Sequence, residues 1–269
     1  MSQHPAFHTF FLGAYLLAAA TASAQTQAPA KPFEPQVGQA GKDDVWVPTP
    51  QALVDRMLDL AKLTPQDFLM DLGSGDGRTV ITAAKRGARA LGIEYNPDMV
   101  ELSRRNATEA KVTDRATFEK ADLFETDLSK AQVITMFLLP SINLKLRPKL
   151  LDLKPGTRIV SNSFTMEDWA ADETANVTED CTSWCTALLW IVPAKVNGSW
   201  QMPQGELHLT QQFQMVTGSL AGTPIADGRL RGDQITFTVG GAKYTGTVSG
   251  NSIKGSGGSG GAFTATRKP

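Results

Sequence analysis

The sequence predicts an α/β fold, in which a doubly wound, mostly parallel sheet is followed by a small antiparallel β meander or partial barrel. Short apolar segments alternate with amphipathic helical segments between residues 68 and 163, which is the pattern of a parallel sheet covered by helices. A Gly-rich turn joins the first apolar segment to the next helix. After about Val196, glycine becomes frequent and helical periodicity ends, as is typical of short antiparallel strands.

The elements of the sheet are predicted from apolar runs and from helix-starting residues. The predicted strands are residues 68–72, 90–95, 116–121, 132–137 and 158–163, with a later edge strand around residues 186–192. Thr49 can cap a first helix that begins at Pro50. Asn96 caps another, with Pro97 at its first position, and Ser141 opens the last.

The β unit carries a weak internal repeat. Its three copies are residues 218–225, 228–235 and 246–253, and each pairs an alternating strand with a turn. Gly232-Asp233 and Gly250-Asn251 suit two-residue hairpin turns, because these residue types tolerate a positive φ.

The N-terminus has the pattern of an export signal. Residues 9–20 are apolar, and Ala22-Ser23-Ala24 supplies a small-residue cleavage pattern. The run is too short for a stable membrane span. We therefore predict a signal peptide over residues 1–24, a disordered linker over 25–44, an α/β domain over 45–196 and an all-β domain over 197–269. The predicted location is exported or periplasmic, and the alternative is a cytoplasmic or membrane-anchored protein.

Composition excludes several classes of function. The formal net charge of the 269-residue chain is −1, so no basic field would gather nucleic acid. Only three histidines are present, two of them at positions 4 and 8, so we expect no metal site and no Ser-His-Asp triad. Cys181 and Cys185 could form a local disulfide in an exported protein. We favour the alternative, in which they are two small buried hydrophobic residues.

The chemistry is concentrated in the segment Asp71-Leu-Gly73-Ser74-Gly75-Asp76-Gly. Glycines let the backbone approach a ligand at the carboxyl end of the first strand. A dinucleotide site has the pattern G-x-G-x-x-G and places a pyrophosphate on the turn. Here two carboxylates surround the turn and would repel a pyrophosphate. They favour S-adenosylmethionine, which carries an ammonium and a sulfonium group.

Two further acids follow the next two predicted strands. Glu94 ends the second strand, where a carboxylate can accept hydrogen bonds from both ribose hydroxyls. Asp122 follows the third strand and could accept from the adenine amino group. The alternative is that both are ordinary surface acids at strand ends and that the Gly-rich loop is only a tight turn.

These motifs resemble class I S-adenosylmethionine-dependent methyltransferases, above all the branch of the ATP synthase c-subunit and non-SET nucleosomal lysine methyltransferases. The segments that carry the resemblance are VPTPQALVDRML, DLGSGDGRTVI, GIEYNPDMV, ADLFETDL and FLLPSINLKLRPKLLDLKPGTRIVSNSF, which lie between Val47 and Phe164. Together they cover under half of the chain. The resemblance implies a Rossmann-like methyltransferase domain; relatives of this branch that we know lack the β unit.

The resemblance also implies a set of site residues. The expected cofactor contacts are Thr49, Asp71, Gly73, Ser74, Gly75, Glu94, Asp122 and Leu123. The segment from Val47 to Pro50 is expected to close over the methionine end. From the residues themselves, we expect an apolar acceptor channel lined by Phe137, Leu139 and Pro140. Trp46 could also line this channel, and the alternative for Trp46 is a packing role.

The sequence indicates less about the methyl acceptor than about the cofactor. The end of the fourth strand lacks the Asn/Asp-Pro-Pro-aromatic motif of enzymes that methylate nucleic-acid amines, which argues against a base as the acceptor. An apolar channel is compatible with a protein lysine. No catalytic residue is identified. The alternatives are a small-molecule methyltransferase and an exported binding protein that kept the fold and lost turnover.

Overall fold

The computed structural model describes residues 1–3, 33–258 and 261–269. The predicted signal peptide and the start of the predicted linker fall on residues 4–32, outside the described residues apart from residues 1–3. The unit that carries the site spans Phe33–Pro269. In the part of the chain that is described, no helix combines the length and the hydropathy needed to cross a bilayer.

A seven-stranded sheet forms the first part of this unit. Its strands are β1 (Phe68–Leu72), β2 (Arg89–Glu94), β3 (Ala116–Lys120), β4 (Val133–Met136), β5 (Arg158–Asn162), β6 (Glu173–Asn176) and β7 (Thr186–Ile191). The order is β3-β2-β1-β4-β5-β7-β6. The first five strands in this order are mutually parallel, and β7 is antiparallel to both β5 and β6. The predicted doubly wound, mostly parallel sheet is confirmed.

Four helices cover the sheet, and they are α1 (Gln51–Leu60), α2 (Arg78–Lys85), α3 (Pro97–Glu109) and α4 (Pro140–Leu151). Successive strand residues point to opposite faces. Leu69 therefore packs with α1, α2 and α3, whereas its neighbour Met70 packs with α4. The order of strands reverses between β1 and β4, which leaves a crevice at their carboxyl ends.

The helix starts agree with the sequence in one case and differ in two. One difference is that α4 begins at Pro140, one residue before the predicted start at Ser141. The Asn96 side chain accepts from the Asp98 backbone N–H at 2.9 Å, with Pro97 at the first position of α3, as predicted. The prediction that Thr49 caps α1 is wrong, because the N-cap residue is Pro50 and no side chain caps it. The Thr49 hydroxyl accepts instead from the Asn162 amide at 3.3 Å.

Eight strands form a closed barrel after the sheet. They are β8 (Gly198–Met202), β9 (Gly205–Gln212), β10 (Met215–Leu220), β11 (Thr223–Arg231), β12 (Gln234–Val239), β13 (Ala242–Ser249), β14 (Ser252–Gly257) and β15 (Gly261–Arg267). Pairing of β15 with β8 closes the barrel, where the sequence predicted a meander or a partial barrel. The interior is packed with large side chains such as Trp200 and Phe237. Gly232-Asp233 and Gly250-Asn251 form hairpin turns, as predicted.

Two predictions about irregular segments need correction. Residues 33–44 are not a disordered linker: the Gly38 N–H donates to the Trp46 carbonyl at 2.8 Å and Arg105 donates to the Phe33 carbonyl at 2.9 Å. Composition alone missed this order because the contacts join residues far apart in the sequence. Cys181 and Cys185 are not two packed thiols, since they form a disulfide in the loop between β6 and β7. The domain boundaries remain predictions.

Candidate cofactor-binding cleft

A cleft opens at the carboxyl ends of β1, β2 and β4 and is covered on one side by residues 39–49. Ten of the twelve predicted site residues line it, and they are Trp46, Thr49, Asp71, Gly73, Ser74, Gly75, Glu94, Asp122, Leu123 and Phe137. Leu139 and Pro140 do not line it: both are exposed where α4 begins. Because β4 ends at Met136, the chain turns away earlier than predicted, and Leu138 and Ile142 line the cleft instead.

The Gly-rich loop is fixed by hydrogen bonds from its own backbone. The N–H groups of Gly73 and Ser74 both donate to the Ile93 carbonyl, at 2.9 and 3.0 Å. Gly73 and Gly75 have φ of 74° and 54°, a left-handed backbone conformation that residues with a Cβ rarely adopt. The loop therefore depends on glycine at these two positions.

Glu94 joins the loops that follow β1 and β2. One carboxylate oxygen accepts from the Gly75 N–H at 3.0 Å, and the other accepts from the Asn96 N–H at 2.9 Å. A carboxylate has about four acceptor positions, so Glu94 keeps capacity for further donors such as ribose hydroxyls.

These contacts decide which ligand fits the loop. A phosphate at a Gly-rich turn is held by free backbone N–H groups. Here the N–H groups of Gly73, Ser74 and Gly75 already donate within the protein. The donor set does not fit a pyrophosphate, whereas the acids around it fit a cationic nucleoside without phosphates.

Asp71 is a buried carboxyl group in the cleft. It is 6% exposed, and one oxygen accepts from the Thr135 hydroxyl at 2.6 Å. No Lys or Arg among the described residues forms an ion pair with it. Burial raises the pKa of Asp71 from 3.8 to about 7, and the charges of Asp76 and Glu94 add to this. A cation bound beside it would stabilise the ionised form.

Asp76 has a different role from the one predicted for it. Its carboxylate pairs with Arg78, whose Nε lies 3.0 and 3.1 Å from the two oxygens, so its charge is partly compensated. Arg78 also donates to the Thr49 carbonyl at 2.9 Å. Asp76 and Arg78 therefore hold the segment before α1 against the cleft. The negative charge of the cleft comes from Asp71 and Glu94.

Residues that line the cleft are held in place by four side chains that were not predicted, namely those of Lys42, Arg78, Thr135 and Asn162. Arg78 stands two positions from Asp76, and Thr135 is opposite Asp71 in the register of β1 and β4. These two could have been found from local spacing and from strand alignment. Lys42 and Asn162 act on Asp122 and Thr49, which are 80 and 113 positions away, and no local signal marks them.

Residues 39–46 line the cleft beside Asp122, the predicted acceptor for the adenine amino group. Lys42 donates to an Asp122 oxygen at 2.5 Å, and its ammonium lies 4.9 Å from the centre of the Tyr95 ring. This pairing lowers the pKa of Asp122. Trp46 packs against the Gly-rich loop, since a Cβ on Gly75 would lie 2.6 Å from the indole nitrogen. An adenine amino group would have to share or replace the Lys42 contact with Asp122.

We expect the purified protein to bind S-adenosylmethionine with micromolar affinity and Glu94→Ala to weaken binding at least tenfold, about 1.4 kcal/mol. The variant loses both the acceptor for ribose hydroxyls and the connection between Gly75 and Asn96. Titration calorimetry measures this, with Glu101→Ala on the exposed face of α3 as the control. Equal affinity of Glu94→Ala and wild type would contradict the assignment.

We also expect cofactor binding to release a proton from Asp71. Because the pKa of Asp71 is raised to about 7, the Asp71 carboxyl group of the folded protein is protonated below about pH 7. A cationic ligand favours its ionised form. Affinity should therefore rise as the pH increases towards about 7 and level off above it, and Asp71→Asn should remove this rise. Calorimetry in two buffers of different ionisation enthalpy counts the protons released. The same proton release in both proteins would rule out Asp71 as the source.

Comparisons with known proteins agree with this geometry. The sequence model of the ANTKMT methyltransferase domain matches residues 71–173. A protein-lysine N-methyltransferase of Saccharolobus islandicus (strain REY15A) is 43% identical over 150 residues, which are 55% of this chain and 92% of that protein. The ATP synthase c-subunit lysine N-methyltransferase of Mus musculus is 39% identical over 107 residues, 39% of this chain and 43% of that protein.

A solved structure shows the same similarity. The crystal structure of an RNA methyltransferase from Salinibacter ruber, in complex with S-adenosyl-L-homocysteine, is 49% identical with a TM-score of 0.53. The match covers 56% of this chain and 96% of that one. The Saccharolobus islandicus relative is 43% identical and is covered over 92% of its length. The chain therefore belongs to the S-adenosylmethionine-dependent methyltransferases of the ANTKMT domain family.

Proposed function

We propose that this methyltransferase transfers its methyl group to a lysine side-chain amine of a protein. The observation that carries the proposal is the apolar wall where β4 ends. Met136, Phe137 and Leu138 line the cleft there, and none of their side chains can hydrogen-bond to a planar base amine. A lysine stem is apolar along its length, so this wall fits it.

The charges near this edge also favour a protein acceptor over a nucleic acid. The basic side chains of α4 are engaged within the chain: the Lys145 ammonium lies 3.6 Å from the centre of the Phe124 ring, and Lys149 donates to the Phe124 carbonyl at 2.7 Å. Arg147 pairs with Asp168. By contrast, Glu179 and Asp180 are exposed in the loop between β6 and β7. Such a surface would attract a basic protein segment and repel phosphates.

The chain's residues have three tasks in this reaction. The cofactor supplies an electrophilic methyl group on a sulfonium. Asp71 and Glu94 would hold its cationic and ribose parts, and Thr49 would close the site from the side of α1. Beside Phe137 and Leu138, desolvation would lower the pKa of the lysine ammonium, so that the amine can lose its proton before attack. Placement of the amine supplies much of the rate, and we assign no general base.

The names of the relatives support the acceptor class without deciding it. Two of them are protein-lysine and ATP synthase c-subunit lysine methyltransferases, whereas the Salinibacter ruber structure is of an RNA methyltransferase. A binding protein that kept the fold and lost turnover is another candidate function. The Lys42–Asp122 pair favours it, because this contact occupies the predicted adenine acceptor.

Transfer of a labelled methyl group separates these functions. We expect the purified protein, given methyl-tritiated S-adenosylmethionine and an extract of its own cells, to label material that protease degrades and ribonuclease does not. Acid hydrolysis should then recover the label as methylated lysine. Glu94→Ala should lose the labelling, and Glu101→Ala should keep it.

Label in RNA or in small molecules would contradict the lysine proposal and would leave the methyltransferase assignment intact. Cofactor binding with no label in any fraction would instead favour the binding protein without turnover.

A further inference from the structure

We propose that Phe137, Phe164 and Trp184 form the binding site for the acceptor amine and that the Cys181–Cys185 disulfide holds Trp184 in it. This inference rests on the proposed lysine acceptor and assigns residues to its recognition. Phe164 and Trp184 were not among the predicted site residues.

The three rings come from three different parts of the sheet. Phe137 follows β4 and lines the cofactor cleft. Phe164 follows β5, and its ring centre lies 5.8 Å from that of Phe137. Trp184 comes from the loop between β6 and β7, with ring-centre distances of 5.9 Å to Phe137 and 5.0 Å to Phe164. The cluster therefore extends from the cleft to the protein surface.

Two residues at the cluster have an unfavourable backbone conformation. Ser163, directly before Phe164, has φ of 57°, and Trp184 itself has φ of 58°. A bulky residue with positive φ is strained, and such strain persists only where the surrounding structure enforces it, often at binding sites. The Trp184 side chain is also 45% exposed, so burial of its own surface does not account for its position.

The disulfide supplies the constraint on Trp184. It closes the loop between Cys181 and Cys185, and Trp184 is the residue just before the second cysteine. The closed loop has fewer conformations, so less entropy is lost when an acceptor orders it. We infer that the bond presents the indole ring to the acceptor.

The geometry and charge of the cluster fit a cationic amine. The Phe137 and Phe164 rings are stacked, with 22° between their planes, and the Trp184 ring is inclined by 57° to Phe137 and by 48° to Phe164. Faces of Trp and Phe attract ammonium groups, and methylated ammonium in particular is held by such aromatic faces. The cluster would therefore capture the charged lysine as it enters, and the amine would lose its proton to water only when it lies desolvated in the cleft beside Leu138. Glu179 and Asp180 lie in the same loop as Trp184 and are exposed, which adds attraction for a cation.

The test measures binding of a defined probe, so it does not depend on turnover. Nα-acetyl-Nε-trimethyllysine amide is titrated into the full-length protein in the presence of S-adenosylhomocysteine, with tryptophan fluorescence and calorimetry as readouts. We expect the probe to bind, its neutral tert-butyl isostere to bind more weakly, and Trp184→Ala to lose at least about tenfold in affinity. Trp184→Phe should retain most of the binding, and all variants should keep the wild-type affinity for S-adenosylhomocysteine.

A separate measurement tests the role of the disulfide. The chain contains only two cysteines, so dithiothreitol reduces this bond alone. We expect the reduced protein and the Cys181→Ser/Cys185→Ser variant to lose probe affinity with unchanged cofactor affinity. Equal probe affinity in oxidised and reduced protein would overturn the role of the disulfide.

Two other outcomes would overturn the inference as a whole. They are a lack of probe binding by the wild type, and equal affinities of wild type and Trp184→Ala. Because lysine labelling is measured separately, a protein that methylates lysine while Trp184→Ala leaves the KM for that acceptor unchanged would refute this site and leave the proposed function standing.

Discussion

The cleft depends on one carboxylate, that of Glu94. Its two oxygens fix the loop after β1 to the start of α3, because one accepts from Gly75 and the other from Asn96. The neighbouring Ile93 carbonyl accepts from Gly73 and Ser74. Together these contacts use the backbone donors that a phosphate would need, while they leave negative charge in the cleft. The same interaction thus shapes the site and selects against dinucleotides.

The cleft also holds negative charge at a cost in stability. Folding raises the pKa of Asp71 from 3.8 to about 7, so the folded state disfavours the ionised carboxylate. For an acid whose pKa is raised, the penalty is absent below the unfolded pKa, grows as the pH rises to about 7 and then stays constant. A cationic cofactor offsets this penalty when it binds. Residues that a fold tolerates only at such a cost are typical of functional sites.

The sequence predicted what depends on local pattern. The parallel sheet, the Gly-rich turn and the acids after the first three strands all follow from hydrophobic period and from spacing along a βαβ unit. Leu139 and Pro140 do not line the cleft, because the strand ends one residue before Phe137 and the helix begins at Pro140. An error of this size at a strand end is enough to move side chains out of a cleft.

Contacts between distant residues could not be read from local pattern. The pairing of Lys42 with Asp122 and the packing of Trp46 on Gly75 join an N-terminal segment to loops of the sheet. The composition of that segment suggested disorder, because composition does not register such contacts. Trp184 lies in the loop between the antiparallel strands β6 and β7, which the Cys181–Cys185 disulfide closes, and β6 was not predicted. A tryptophan between two nearby cysteines was the one available signal.

The central claim is that the acids of this cleft hold a cationic, phosphate-free nucleoside. A crystal structure of the protein grown with equal concentrations of S-adenosylmethionine and NAD tests it most directly. We expect S-adenosylmethionine in the cleft, with its ribose hydroxyls bonded to Glu94 and its ammonium group on the side of Asp71. Density for NAD in the cleft, or S-adenosylmethionine bound with no contact to either carboxylate, would contradict it.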